Sequence, residues 1–132
     1  MSDRPFSPQE IFAALHLHGV DYVAIGGFAA NAHGSRRLTL DVDIVPAPEE
    51  ANYERLAAAL DALGAPDSAV DSGAPGVPPY TDLRARAIEV EVRGTPIRIA
   101  SLDDLIAMKR ASGRPQDLRD IADLTGLEEA SD

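Results

Sequence analysis

Two aspartates in one short apolar segment carry the clearest chemical signal in the chain. Asp41 and Asp43 alternate with Val42 and Ile44 in the segment 40–45. Because side chains alternate along a β-strand, the two carboxylates would share one face, about 7 Å apart by Cα spacing. Two like charges on a buried strand repel each other and lose hydration, and a hard cation such as Mg²⁺ or Mn²⁺ would relieve both costs. The alternative is an edge strand with two solvated Asp side chains, although Asp is depleted in strands.

A pair of glycines precedes this segment. Gly26-Gly27 follows the apolar segment 22–25 and is followed by a predicted short helix, Phe28 to His33. Glycine allows the backbone to approach a ligand closely, and free N–H groups at the start of a helix favour phosphate. A plain turn is the more frequent explanation of Gly-Gly after a strand. The pair becomes informative because thirteen residues separate it from Asp41.

Periodicity and capping residues predict the elements that would position these groups. The predicted strands are Tyr22–Ile25, Leu40–Val45, Ile88–Val92 and Pro96–Ala100, and the predicted helices are Pro8–Leu17, Phe28–His33, Glu49–Leu63, Tyr80–Arg86, Ser101–Ala111 and Pro115 to about Leu124. In the fifth helix Ser101 predicts a capping box, with Asp104 in the place of Glu. The segment 65–79 holds four Pro and two Gly and predicts a loop. We therefore expect one α/β (α+β) domain, residues 1–132, with a mixed β-sheet and flanking helices.

Composition narrows the function classes. Twenty-two acidic against twelve basic residues give a net charge of −10, which argues against extended binding along nucleic acid. The net charge does not exclude the binding of a single RNA end in a local pocket. The chain has no cysteine, and no apolar run approaches the roughly 18 residues of a membrane span. We expect a cytoplasmic protein without disulfides or thiolate metal sites, and we note that Lys109 is its one lysine.

Two motifs together resemble a known superfamily. Ile25-Gly26-Gly27 followed by Asp41-Val42-Asp43-Ile44 resembles the signature of polymerase-β-type nucleotidyltransferases. The finer pattern resembles a small bacterial group related to AbiEii-like abortive-infection toxin nucleotidyltransferases. That pattern comprises 26–30, His33-Gly34, Arg37 and Thr39, then 101–109, 113–115, Asp117 and Asp120-Ile121. The resemblance covers residues 10–63 and 76–125 and implies a nucleotidyltransferase fold that is shortened in the middle.

The implied reaction is transfer of a nucleoside monophosphate from an NTP, with pyrophosphate leaving. By resemblance Asp41 and Asp43 would hold the metal, Mg²⁺ or Mn²⁺, while Gly26 and Gly27 would bracket the triphosphate. The implied partners are the NTP, an acceptor that is a protein, a tRNA end or a small molecule, and a cognate antitoxin protein.

Three further residues each have two alternative roles within the resemblance. Arg37 and Thr39 would reach phosphate oxygens or brace the loop before the metal strand. Lys109 would neutralise the leaving charge, as a compact cation does. A salt bridge from Lys109 to Asp117 or Asp120, tying the last two helices together, is an equal alternative.

The third carboxylate of the superfamily has no clear counterpart. It normally lies on a further strand, where it helps to bind metal and activates the attacking hydroxyl. Counting back from Gly76 without gaps places Ala69 there, and Asp71 or Asp67 fits only with a small gap. Glu89 and Glu91 are predicted to form the solvated face of the hairpin instead. The sequence thus leaves two functions open: a metal-dependent nucleotidyltransferase with Asp71 as third carboxylate, and a weakened relative that binds nucleotide or a partner protein without transfer.

Overall fold

The computed structural model describes residues 7–33, 42–66, 70–72, 76–115, 119, 121 and 122. Helices and strands alternate within these ranges. Their order is α1 (Pro8–Leu17), β1 (Tyr22–Ile25), α2 (Gly26–Ala32), β2 (Val42–Pro46), α3 (Glu50–Leu63), β3 (Val70–Ser72), α4 (Tyr80–Arg86), β4 (Ile88–Val92), β5 (Thr95–Ile99) and α5 (Leu102–Ser112). After α5 the described residues Pro115, Arg119, Ile121 and Ala122 have helical backbone, as predicted for the start of a last helix.

The five strands form one mixed sheet in the order β3-β2-β1-β5-β4. β1 pairs antiparallel with β2 and parallel with β5, β2 pairs parallel with β3, and β4 and β5 form the predicted antiparallel hairpin. In β2 the burial alternates, with Val42 and Ile44 fully covered and Asp43 and Val45 half-buried. Asp43 therefore lies on the less covered face of a central pair of strands.

The core forms where α1 and α3 pack against the sheet. Ser7 begins α1 with a capping box, its hydroxyl accepting from the Glu10 amide at 3.2 Å. Phe12 of α1 contacts Tyr22 of β1 and Phe28 of α2, with ring centroids 5.7 and 4.6 Å away. This aromatic group joins α1, α2 and the strand that leads to the glycine pair.

A buried asparagine joins the two loops at the opposite end of β1 and β2. Asn52 of α3 is fully buried and accepts from the Asp21 amide at 2.8 Å. Its amide group donates to the carbonyls of Asp21 and Ala47 at 2.8 and 3.1 Å. One side chain thus satisfies three backbone groups where the chain enters β1 and leaves β2.

The structure corrects three predictions. The segment 65–79 is not all loop, because Val70–Ser72 forms β3. Three residues between Pro- and Gly-rich stretches give no periodicity to read, and pairing with β2 decides their conformation. Helix α2 begins at Gly26, two residues before the predicted start at Phe28.

The third correction concerns the start of α5. The Ser101 hydroxyl does accept from the Asp104 amide at 3.2 Å, as predicted. The Asp104 carboxylate, however, binds Arg86 instead of closing the capping box. The shorter Asp side chain reaches back less easily than Glu, and a guanidinium is a stronger partner than a backbone amide.

Among the described residues, no helix combines the length and the apolar composition that a membrane span requires.

Candidate active site

Gly26 lies directly against the Asp43 side chain at the end of β1. Ile25 and Asp43 are register partners, so the residue after Ile25 emerges beside the carboxylate. Gly26 has a left-handed backbone (φ +72°), and a Cβ there would collide with the Asp43 Oδ2 atom and lie 3.0 Å from Cβ and Cγ. Both the backbone angle and the available space require glycine at this position. Gly27 follows in the first turn of α2.

Asp71 lies beside Asp43 in the backbone register of the sheet. The parallel pairing of β2 and β3 aligns Val42 with Val70, Asp43 with Asp71, and Ile44 with Ser72. Adjacent strands are about 4.8 Å apart, which makes Asp71 the nearest residue to Asp43 on the β3 side. The sequence offered Asp71, Asp67 and Ala69 as alternatives. The last two lie outside the described residues.

Helix α5 contacts both α2, which begins beside Asp43, and the loop that follows β3. Ile106 forms a small apolar cluster with Ala30 of α2, and Lys109 follows Ile106 by three residues, on the same face of α5. Lys109 is 9% exposed. A Cβ on Gly76, in the loop after β3, would collide with the Ala111 side chain of α5. Lys109 therefore lies on a helix in contact with both α2 and the segment that follows Asp71.

An ion pair that the sequence did not predict holds the start of α5. Arg86, the last residue of α4, donates two hydrogen bonds to the Asp104 carboxylate, at 2.9 and 3.1 Å. The hydrogen bond to Asp104 raises the pKa of the Arg86 guanidinium. Asp104 has an 11% exposed side chain, and Arg86 is half exposed. The partners are 18 positions apart in the sequence, so no local pattern could have revealed the pair.

Several predicted site residues fall outside the described ranges. They are Asp41, Arg37 and Thr39, together with Asp117 and Asp120, the alternative partners of Lys109. Within the described residues there is no group of three or more His, Asp or Glu side chains that could hold a metal. The side chains of Asp41 and Asp71, the two candidate co-ligands of Asp43, lie outside the described part of the chain.

Three other titratable residues, one at the end of α2 and two on β4, lie at positions that the fold itself explains. His33, which ends α2, donates from Nε2 to the Ala100 carbonyl at 2.9 Å and so anchors the end of that helix to the end of β5. Glu89 and Glu91 are exposed on β4, which confirms that they form the solvated side of the hairpin.

Comparisons with known proteins agree on one fold. Residues 9–129 match the model of a family described as "Nucleotidyltransferase of unknown function (DUF6036)". No curated protein matches the sequence. A crystal structure of ANT(2")-Ia in complex with adenylyl-2"-tobramycin superimposes with a TM-score of 0.62 at 17% identity, over 89% of this chain and 85% of the other. A solution structure of the antibiotic-resistance factor ANT(2'')-Ia gives 0.58 at 16% identity, over 92% and 87%.

A third solved structure has the same fold. The crystal structure of an antigenic nucleotidyltransferase-like protein from Paracoccidioides brasiliensis has a TM-score of 0.60 at 16% identity, over 94% of this chain and 79% of the other. At these identities the likeness concerns the fold alone. The predicted fold, a mixed sheet with flanking helices of the nucleotidyltransferase type, is confirmed.

Proposed function

The chain belongs to this family of nucleotidyltransferases, and we propose that it transfers a nucleoside monophosphate from an NTP to an acceptor in a reaction that requires a divalent cation. The observation that carries the proposal is the contact between Gly26 and Asp43. This contact places the Gly26-Gly27 turn, the candidate triphosphate site, directly against Asp43 of β2, the candidate metal ligand. There is no room for a side chain at residue 26. A nucleotide phosphate on the Gly26-Gly27 backbone would then lie beside the Asp43 carboxylate.

The donor set fits a hard cation. Asp43 is half-buried next to Gly26, and its register partner Asp71 adds a second carboxylate on the neighbouring strand. Asp41, two residues before Asp43 in the sequence, would add a third. Carboxylate oxygens are preferred by Mg²⁺ and Mn²⁺, whereas imidazole and thiolate are not needed. When bound, the cation would neutralise phosphate charge and orient the triphosphate.

The chain's own residues would supply the remaining chemistry. The acceptor oxygen attacks the α-phosphorus, the bond between the α-phosphorus and the bridging oxygen breaks, and pyrophosphate leaves with the bond electrons. Asp71 would accept the proton of the attacking hydroxyl, which typically accelerates such a step about 10²–10⁴-fold. Lys109 would offset charge on the leaving pyrophosphate, and Arg37 and Thr39 would bind phosphate oxygens.

Support for Asp71 comes from the strand that the sequence did not predict. The gapless count from Gly76 favoured Ala69, but β3 aligns Asp71 with Asp43. A third carboxylate on a further strand beside the metal strand is what the resemblance to polymerase-β-type nucleotidyltransferases implies. We therefore favour transfer over the weakened, binding-only relative.

The test uses each of the four NTPs labelled at the α-phosphate, with Mg²⁺ or Mn²⁺. Candidate acceptors are the protein itself, bulk tRNA and, because a structural neighbour holds adenylyl-tobramycin, an aminoglycoside. We expect label transfer by wild type, and loss of at least 100-fold for Asp43→Asn and Asp71→Asn. Glu54→Gln, an exposed acid of α3, is the matched control and should retain full activity.

Three outcomes would change the proposal. Full activity in Asp71→Asn would remove Asp71 from the chemistry. An inert wild type that gains transfer with Ala69→Asp would show that the gapless count was right. NTP binding without transfer to any acceptor, in wild type and in both variants, would identify the weakened relative.

The resemblance to AbiEii-like proteins further suggests a toxin, and this part of the proposal is tested separately. Induced expression in a bacterial host should arrest growth, and Asp43→Asn should abolish the arrest at equal protein levels. Arrest that persists in Asp43→Asn would not come from nucleotidyl transfer. Normal growth with wild type would argue against toxicity and against a cognate antitoxin.

A further inference from the structure

Both ends of the segment that contains the Gly26-Gly27 turn and α2 are tied to one buried residue, Ala100. The His33 Nε2 atom, at the end of α2, donates to the Ala100 carbonyl at 2.9 Å. The Ala100 amide donates in turn to the Ala24 carbonyl of β1, also at 2.9 Å. Ala100 is fully buried, and Ala24 lies two residues before Gly26. Two hydrogen bonds to a single residue therefore close the segment from Ala24 to His33 into a loop.

Helix α2 has little stability of its own. It is seven residues long, its first two residues are glycines, and no side chain caps its start. Glycine is a poor helix former, and so short a helix depends on tertiary contacts. Phe28 packs on Phe12 near the start of the helix, and Ala30 packs on Ile106 in its middle. His33 adds a directional hydrogen bond at the end, and these three contacts together set where α2 lies.

Ala100 also adjoins the helix that carries Lys109. The next residue, Ser101, caps the start of α5, where its hydroxyl accepts from the Asp104 amide at 3.2 Å. Lys109 lies further along this helix and is 9% exposed. The hydrogen bond from His33 to Ala100 thus ties the end of α2 to the start of α5. It joins the helix that begins with the Gly26-Gly27 turn to the helix that carries Lys109.

We propose that His33 is a positioning residue for nucleotidyl transfer. The inference rests on the proposed function, in which the Gly26-Gly27 turn and Lys109 bind the same triphosphate. Glycine leaves the turn free to adopt other backbone angles, so its position depends on how α2 is held. Without the His33 donor the end of α2 is released, and the turn shifts relative to Lys109. A misplacement of about 1 Å can cost roughly 10²-fold in rate. His33 acts through α2 and not on the nucleotide itself.

The test compares His33→Gln with His33→Met. The Gln amide nitrogen lies as many bonds from Cα as the His Nε2 atom and keeps a donor, whereas Met has a similar length and no donor. The measurements are calorimetric affinities for NTP and NMP with Mg²⁺, and kcat and KM of transfer, at a temperature where every variant is folded. We expect His33→Gln to retain most of the wild-type values. His33→Met should lose about tenfold or more in NTP affinity and in kcat/KM. NMP affinity should change much less, because a monophosphate does not span the turn and Lys109. His16→Met, at an exposed position of α1, is the matched control and should match wild type.

A double-mutant cycle separates positioning from stabilisation of the fold. In a Lys109→Ala background, His33→Met should weaken NTP binding much less than in the wild-type background, because the turn no longer acts together with Lys109. An anchor that only stabilises the fold would lower the melting temperature of His33→Met by about 2–5 °C and leave NTP affinity unchanged.

That last result would overturn the role of His33 and leave the proposed function standing. Equal losses in the Gln and Met variants, or equal effects of His33→Met in both backgrounds, would also overturn it. A wild type that binds no NTP would overturn both proposals. Calorimetry decides the role of His33 even where no acceptor is found.

Discussion

Replacement of Gly26 by Ala tests whether the turn and the metal strand form one unit. The substitution adds a single methyl group at a residue whose backbone angle is left-handed (φ +72°) and whose Cβ would collide with the Asp43 carboxylate. Two costs follow from these observations. The backbone cost for a non-glycine residue in this region is roughly 1–2 kcal/mol. Overpacking against Asp43 adds about 1–3 kcal/mol, because the carboxylate must turn away.

Gly64→Ala separates these two costs. Gly64 ends α3 with nearly the same backbone angle (φ +74°), and a Cβ there would have no atom within 4 Å. It should therefore show the backbone cost alone, about 1–2 kcal/mol of unfolding free energy. Gly26→Ala should lose about 1–3 kcal/mol more. For a chain of this size, 1 kcal/mol corresponds to roughly 3–5 °C in the melting temperature.

The assay is urea unfolding for the free energy, followed by thermal melting with and without Mn²⁺. We expect Mn²⁺ to raise the melting temperature of wild type and Gly64→Ala, and not of Gly26→Ala, since the displaced carboxylate no longer points at the cation. In an Asp43→Ala background most of the extra cost of Gly26→Ala should disappear. The reasoning fails if the two Gly→Ala variants lose equal stability and Gly26→Ala keeps its response to Mn²⁺.

Three other substitutions have defined outcomes. Asn52→Ala should destabilise the protein by about 2–4 kcal/mol in urea unfolding, because three backbone groups of Asp21 and Ala47 lose their partner; a loss below 1 kcal/mol would contradict this. Lys109→Arg should weaken NTP binding in calorimetry at an unchanged melting temperature, whereas unchanged affinity with a lower melting temperature would support the helix-tying salt bridge. Asp104→Ala should lower the melting temperature more than Asp103→Ala, its exposed neighbour in α5, because only Asp104 binds Arg86; equal effects would mean that the ion pair contributes nothing.

Much of the fold was predictable because its elements are locally encoded. Helix α1 has the bounds that its cap and apolar stripe predict, and α4 and the hairpin lie where periodicity places them. The failures share a physical cause. Strand β3 is three residues long, and pairing with β2 makes it a strand. The early start of α2 depends on the space beside Asp43, which only glycine can enter. Such contacts are long-range, and a local pattern does not contain them.

The candidate site was predictable in its residue types and less so in its geometry. The spacing of Gly26-Gly27 and Asp41-Val42-Asp43 pointed to one end of the sheet, and the contact of Gly26 with Asp43 agrees with that. The choice between Ala69 and Asp71 needed the register of a parallel strand pair, since these two residues would share one face of the strand and only the register decides which of them lies beside Asp43. The sequence places Tyr22 in a buried strand, but it does not show that the Tyr22 hydroxyl lacks a hydrogen-bond partner among the described residues.

The acidity of the chain makes the order of binding testable. Asp43 and Asp71 are neighbours in the sheet of a protein with a net charge of −10, and a triphosphate is itself a polyanion. Two unit charges 4 Å apart interact by about 4 kcal/mol at an effective dielectric constant of 20. On the proposed function, the cation must therefore bind before or with the nucleotide. In the presence of a chelator Asp43→Asn should bind NTP more tightly than wild type, because one repulsive charge is gone. With Mg²⁺ the order should reverse, because a ligand of the cation is gone. Calorimetry under both conditions measures this crossover, and the same order in both would place the cation away from Asp43.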